Sequence, residues 1–389
     1  MSLDTISPAK TPAASPVDFV PGDESRQPED GTALCLSGGG YRAMLFHTGA
    51  LWRLNEMGLL MKIARYSSVS GGSITSATLA LNWTKLGFDA EDRAQQFQGQ
   101  LVQPIRNLAS RTIDMSSVLG GIIGGGVAHK VAEAYKKYLF GDATLQDLPD
   151  TPRFVFNATN VQSKALWRFS KPYMRDWRVG EVRNPKIPLA TAVGASSACP
   201  PFLSPVELDL QDSDFVPGSG AELQKPPYTT QVILTDGGVY DNLGLETAWK
   251  RYTTVLVSDG GGMAAFEPDP KRDWAQHTYR VMNLLDDQVR SLRKRQIISG
   301  FKQGDRKGAY WSTWTDIREY ALQDALPCDL ARTRELAATP TRLKAIDARL
   351  QERIINWGYA SCDAGIRKYG GVMNAPSPQF PYSGGIEYM

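Results

Sequence analysis

The order of apolar segments in this sequence predicts an α/β fold with a mainly parallel central sheet. Three observations point there. Short apolar runs alternate with stretches of helical spacing over residues 32–262, two of the junctions are glycine-rich turns, and no linker-like break interrupts the series. A strand that returns through a helix to a neighbouring strand pairs with it in parallel and crosses over right-handed. Residues 1–31 therefore read as a flexible tail and 32–389 as one domain, with a motif core at 32–262 and a mostly helical C-terminal elaboration at 263–389.

Each element follows from its local pattern. Residues 1–31 are rich in Pro, Ser, Thr and acidic side chains, which offer little apolar surface to bury. Residues 33–36 form a short buried strand, and 43–57 carry Met44, Thr48, Leu51 and Leu54 at helical spacing. Residues 63–69 are a second strand and 72–86 a second helix, while 89–108 and 127–139 read as helices. Between those two, 116–126 is apolar yet glycine-rich, and a helix is disfavoured there. It reads either as a flap over an apolar site or as a tight buried loop. Strands are expected at 153–158, 165–169, 231–235, 254–258 and 309–314, and helices at 189–198 and 273–300.

Bulk composition narrows the function. The chain has 389 residues, 42% hydrophobic and 22% charged, as folded proteins do. A net charge of +2 excludes a molecule that binds nucleic acid by overall electrostatics. Cys35, Cys199, Cys328 and Cys362 stand at no metal-ligand spacing, so neither a metal nor another cofactor is expected. The N-terminus lacks the apolar core of a signal peptide, and no run of about 18 apolar residues exists to span a bilayer. The expected location is cytoplasmic, with peripheral membrane contact through a local patch.

Two turns carry the chemistry. In Leu36-Ser37-Gly38-Gly39-Gly40-Tyr41-Arg42, three glycines free backbone N–H groups to face an anion. In Ser68-Val69-Ser70-Gly71-Gly72, a serine with small residues two before and two after it lies between a strand and a helix. That is the setting of a strained nucleophile turn, and Ser70 suits it better than Ser67 or Ser73, whose neighbours Val69 and Thr75 are β-branched. The plain alternative is a serine that caps the following helix. The run Gly38–Ala43 also fits a dinucleotide turn, but the second strand ends in serines instead of the acidic residue that a ribose requires. A serine nucleophile needs a base. His277 follows Asp236, which permits a Ser-Asp-His triad, although its surroundings look helical. Asp236 and Asp259 both end apolar strands in Asp-Gly-Gly turns, and the sequence barely separates them.

Taken together, these segments resemble the patatin-like phospholipase family in its bacterial branch, which is akin to cytosolic phospholipase A2. Ser37-Gly38-Gly39-Gly40-Tyr41-Arg42 matches the oxyanion motif and Ser68-Val69-Ser70-Gly71-Gly72 the nucleophile motif. Ala195-Ser196-Ser197-Ala198-Cys199-Pro200 and Asp236-Gly237-Gly238 match two further motifs, and all four occur in family order. The resemblance implies a three-layer α/β/α fold and a lipid acyl hydrolase acting on a phospholipid or other acyl lipid. It also implies a Ser70–Asp236 dyad without histidine, an oxyanion hole at Gly38, Gly39 and Gly40 with Gly39 and Gly40 as donors, and a headgroup contact at Arg42. Ser68, where the family has glycine, is the one departure. A lone carboxylate is a weak base at neutral pH, so some desolvation of Asp236 is expected. The candidate helix over 279–301 reads first as a packed helix with a solvated basic end, and second as a helix lying on an anionic membrane.

Overall fold

Strand β1 (Glu29–Leu36) shows how the sequence builds the layers. Ala33 and Cys35 point to one face and Leu34 and Leu36 to the other, and all four are fully buried. A strand apolar on both faces must be covered on both. The computed structural model describes residues 28–113, 126–263, 266–372 and 375–387. The stretch 116–126 lies outside them except for its last residue, as does the tail up to residue 27.

Parallel pairing runs through β10 (Lys307–Ser312), β9 (Tyr252–Asp259), β1, β2 (Ile63–Val69) and β3 (Arg153–Asn160). Beyond β3 the sheet turns antiparallel through β4 (Ala165–Ser170), β5 (Tyr173–Asp176) and β6 (Gly180–Arg183). The antiparallel pair β7 (Val206–Asp209) and β8 (Gln231–Asp236) joins the sheet where β8 meets β3. All the described strands thus form one mixed sheet whose motif-bearing half is parallel. β5, β6 and β7 are four residues each, too short to show a period in the sequence.

β3 sets the geometry of the site. Val69 at the end of β2 stands opposite Asn157, and Asp236 at the end of β8 stands opposite the next residue, Ala158. β4 holds the other edge of β3 at those positions. β2 and β8 therefore meet end to end along one edge of β3, and their last residues converge.

The helices complete three layers. On the Leu34 face lie α1 (Gly40–Glu56), α2 (Gly71–Leu81), α3 (Gln103–Ala109), α4 (Gly126–Tyr135), α5 (Leu189–Ser196), α9 (Leu330–Ala337) and α10 (Ala348–Tyr369). On the Cys35 face lie α6 (Gly238–Asp241), α7 (Glu246–Trp249) and the C-terminal half of α8 (Trp274–Gln303), through Leu245, Ala248 and Ile297. Two local readings are corrected. Residues 89–96 are not helical: the Asp89 carboxylate accepts N–H groups of Glu91 and Arg93, Asp92 takes φ 61°, and Phe88 bridges to Ala94. That local Asx turn outcompetes the helix. The basic end of α8 is solvated only in part, because Arg290 is buried while Arg295 is exposed; the apolar residues of its N-terminal half are exposed as well.

The C-terminal region is part of the core. α10 crosses α1 at two glycines. A Cβ on Gly49 would collide with the Ile355 carbonyl oxygen, and one on Gly358 with the Phe46 carbonyl oxygen. The same pair of helices shares the buried Arg53–Asp363 ion pair at 2.8 Å. Backbone atoms cannot yield as side-chain tips do. Gly49→Ala and Gly358→Ala should each lower stability by about 1–3 kcal/mol or more, read as a lower urea midpoint with an unchanged m-value. A neutral result at both positions would mean that the helices do not cross this closely.

Candidate active site

Ser70 sits at the turn between β2 and α2 with φ 51° and ψ −121°, a conformation side chains rarely adopt. Such a residue costs roughly 1–3 kcal/mol and persists only where its surroundings impose it. Here the constraint is visible. The Ser70 N–H donates to both the carbonyl oxygen and the Oγ of Ser196, each at 3.1 Å. Gly71 lies so close to the Gly40 carbonyl, and Gly72 to that of Leu36, that neither position has room for a Cβ. Ser68, the departure from the family pattern, is accommodated: its buried hydroxyl donates to the Val155 carbonyl at 3.2 Å and accepts from Ser73 Oγ at 3.1 Å.

Asp236 is buried, and the Ser70 hydroxyl faces its carboxylate closely enough to favour the ionised form. Desolvation raises its pKa to about 7, against the pull of the Gly238 N–H at 2.7 Å and the Ser70 hydroxyl, and Asp286 pushes it up further. Ser196 braces this turn as well. Its carbonyl accepts the Gly237 N–H at 3.3 Å, while the Ala198 carbonyl accepts the Asp236 N–H at 3.0 Å.

The rival carboxylate, Asp259, has the opposite environment. Burial alone would raise its pKa, but Lys294 at 2.9 Å and Arg290 at 3.6 Å outweigh it, and with Tyr310 they hold it far below the usual carboxylate range. Asp259 is thus a permanent anion holding α8 to the sheet. No histidine bonds Ser70 or Asp236 among the described residues. His47 is buried, bonds Ser258 Oγ and the Ser37 carbonyl at 2.9 Å each, and is pushed down to about 4 by desolvation. His277 stands exposed on the first turn of α8.

At the glycine turn, Gly39 (φ 145°) and Gly40 (φ 59°) adopt backbone conformations that side chains avoid. Neither N–H has a protein acceptor among the described residues, and the same holds for the Gly71 N–H. Gly38 differs from expectation: its N–H donates to the Asn242 carbonyl at 3.0 Å, so it is not available to an oxyanion. Its lack of a side chain matters instead, because a Cβ there would stand 3.2 Å from the Ser70 Cβ and collide with Asn242. Arg42 is also corrected. It is buried, donates to the carbonyls of Gly260 (3.1 Å) and Thr339 and to Thr341 Oγ1 (2.9 Å), and is lowered to about 10 by desolvation. Those bonds tie two loops to the start of α1 and hold the guanidinium inside the protein, away from a headgroup at the surface. Ser196 and Asn242 were given no role from sequence. Asn242 had a faint signal in its place four residues after Gly238. No group of three or more His, Cys, Asp or Glu side chains among the described residues could hold a metal ion.

A strained serine, a desolvated carboxylate and unpartnered N–H groups at one sheet edge are arranged as acyl-transfer hydrolase sites are. The chain belongs to the patatin-like phospholipase family, whose sequence pattern matches residues 34–249, over half of the chain. No curated protein matches it. Among solved structures it is similar to human GIVD cytosolic phospholipase A2 in complex with methyl γ-linolenyl fluorophosphonate. That likeness has 14% identity and a TM-score of 0.50 over 86% of this chain and 57% of that one. It is similar also to VipD from Legionella pneumophila, at 17% identity and a TM-score of 0.35, over 87% of this chain and 67% of that one. The chain thus spans little more than half the length of the phospholipase A2 it matches.

The raised pKa of Asp236 has a consequence for stability. Its folded-state value near 7 exceeds the unfolded value, so the folded state holds a proton that the unfolded state has lost between about pH 4 and 7. Stability from this group is complete below that window and lost as pH rises through it. Asp236→Asn keeps a neutral side chain throughout. Relative to wild type, it should gain about 1.4 kcal/mol per pH unit across the window, measured by urea unfolding at several pH values. A difference independent of pH would contradict this.

Proposed function

We propose that the protein hydrolyses acyl esters of lipids through a Ser70–Asp236 dyad, with residues 32–389 acting as one catalytic unit. The observation that carries this reading is the strained Ser70 hydroxyl beside the buried Asp236 carboxylate, whose pKa desolvation raises to about 7. Family membership supports hydrolase chemistry, and the exposed Phe202 and Val239 beside the site favour an apolar substrate.

In the first step Ser70 Oγ attacks the ester carbonyl carbon and its proton passes to Asp236. The carbonyl oxygen becomes an oxyanion held by the Gly39 and Gly40 N–H groups, with the Gly71 N–H beside them. The intermediate collapses, the alcohol leaves with the proton from Asp236, and the acyl group stays on Ser70. Water then attacks the acyl-serine and gives its proton to Asp236. The second tetrahedral intermediate expels Ser70, which recovers that proton, and the fatty acid is released. A triad through His277 is not favoured, since that ring stands exposed and bonds neither partner.

Methyl γ-linolenyl fluorophosphonate, the compound bound in the human relative, provides the probe. It should label Ser70 and abolish hydrolysis of p-nitrophenyl esters and phospholipid. Ser70→Ala should fold and lose about a thousandfold or more in kcat, whereas His277→Ala should stay within about twofold, as fits a residue outside the chemistry. Full activity in Ser70→Ala, or collapse in His277→Ala, would sink the dyad. The base must be ionised to work, so kcat/KM should fall on the acid side with an inflection near pH 7, well above an ordinary carboxylate. An inflection near 4 would show that Asp236 is not the desolvated base.

A further inference from the structure

We propose that the outward face of α8 is a docking surface for an anionic lipid bilayer, placed to bring the Ser70 site onto its substrate; this rests on the lipid hydrolase reading. α8 is 30 residues long, about 45 Å, and its only buried residues are Arg290, Ile297 and Gly300, all in its C-terminal half. Trp274, Val281, Leu285, Val289 and Leu292 recur at intervals of 7, 4, 4 and 3 residues and so share one face. Arg290 and Ile297, seven residues apart, mark the opposite face, which packs on the sheet. The apolar stripe therefore points away from the protein. Trp274 is 84% exposed, Leu285 61% and Leu292 58%. Aliphatic side chains arrayed in water over five turns are an unusual cost for a helix with no partner.

Two further observations name the occupant. The charges are sorted. Asp286 and Asp287 lie on the protein side, 3.8 and 3.7 Å from Arg290, while Arg295 and Lys302 flank the stripe, exposed and without an ion-pair partner among the described residues. Cations at the edge of an apolar face, with Asp286 and Asp287 withdrawn and acids along the helix exposed only at its N-terminal end around Asp273, complement anionic headgroups over an acyl layer. The opposite side of the same helix reaches the site, so the stripe and the site are linked through α8. Tyr279 on α8 stacks edge-on against exposed Phe202 at 6.2 Å, and Phe202 follows the segment that braces Ser70 and Asp236. α8 also contacts α6, which begins two residues after Asp236 and exposes Val239. Phe266, 97% exposed, extends the apolar surface from the loop before α8.

The test uses full-length protein carrying Ser70→Ala, so that lipid is not consumed, and co-sedimentation with large unilamellar vesicles. Binding is expected to vesicles of phosphatidylcholine with phosphatidylglycerol. The combined Trp274→Ala, Leu285→Ser and Leu292→Ser variant should partition about tenfold less or weaker still, with an unchanged circular dichroism spectrum. Arg295→Gln with Lys302→Gln should lose binding only where phosphatidylglycerol is present. Equal partitioning of the stripe variant and its parent would overturn the proposal. So would a parent that ignores vesicles yet is a dimer by light scattering, with the stripe variant a monomer, because the face would then hold a second copy. With Ser70 intact, p-nitrophenyl butyrate hydrolysis separates the two readings. Its absence in the parent would defeat the hydrolase reading without touching vesicle binding. Its equality in parent and stripe variant would show that the stripe serves docking alone.

Discussion

One carbonyl oxygen, that of Ser196, accepts N–H groups from both Ser70 and Gly237. The site depends on this shared acceptor. Ser70 holds a left-handed conformation that its own side chain disfavours, and the turn after Asp236 begins at Gly237. A single peptide group positions both. Its side chain adds to the constraint, because Ser196 Oγ also accepts the Ser70 N–H and donates to the Asn157 carbonyl on β3. β3 is the strand along which β2 and β8 meet. Strain at the serine is thus balanced by bonds reaching three strands, and its energy is drawn from packing elsewhere.

The sequence revealed the parts of this arrangement better than their assembly. Strand, turn and helix around Ser70 were legible because apolar period and glycine position report local geometry directly. So was the strained backbone at Ser70 and not at Ser67 or Ser73, since crowding by Val69 and Thr75 is a local effect. What depends on distant partners was not legible. The Gly38 N–H is taken by the Asn242 carbonyl, and Arg42 is enclosed by three acceptors on two loops, neither of which a local pattern reports. The antiparallel wing escaped notice because four-residue strands carry no usable period.

Asp236 and Asp259 show the same limit in electrostatic form. Both end a strand, both precede glycines, and both are buried. One is left without a cation and rises to about 7; the other meets Lys294 and Arg290 and stays ionised. The difference comes from α8, which begins fifteen residues after Asp259 and brings Arg290 and Lys294 to that carboxylate and not to Asp236. Identical local chemistry leaves a protonatable carboxylate at one turn and an ionised anchor at the other, because charge pairing is decided by tertiary placement.

That anchoring ties the two faces of α8 together. The helix is fixed to β9 through Asp259, and Asp286, one turn before Arg290, is close enough to Asp236 to raise its pKa. Asp286 itself is raised to about 6, chiefly by burial. An apolar phase that extended past the stripe to the Tyr279 and Phe202 edge would remove water from that neighbourhood. Desolvation disfavours the ionised forms of both carboxylates, and a low dielectric strengthens their mutual repulsion. Asp236 would then be a stronger base at the lipid surface than in bulk water, with a smaller fraction ionised at a given pH. Under the proposed dyad, basicity rises at the lipid surface, and hydrolysis at an interface should titrate at a higher pH than hydrolysis of a dissolved ester.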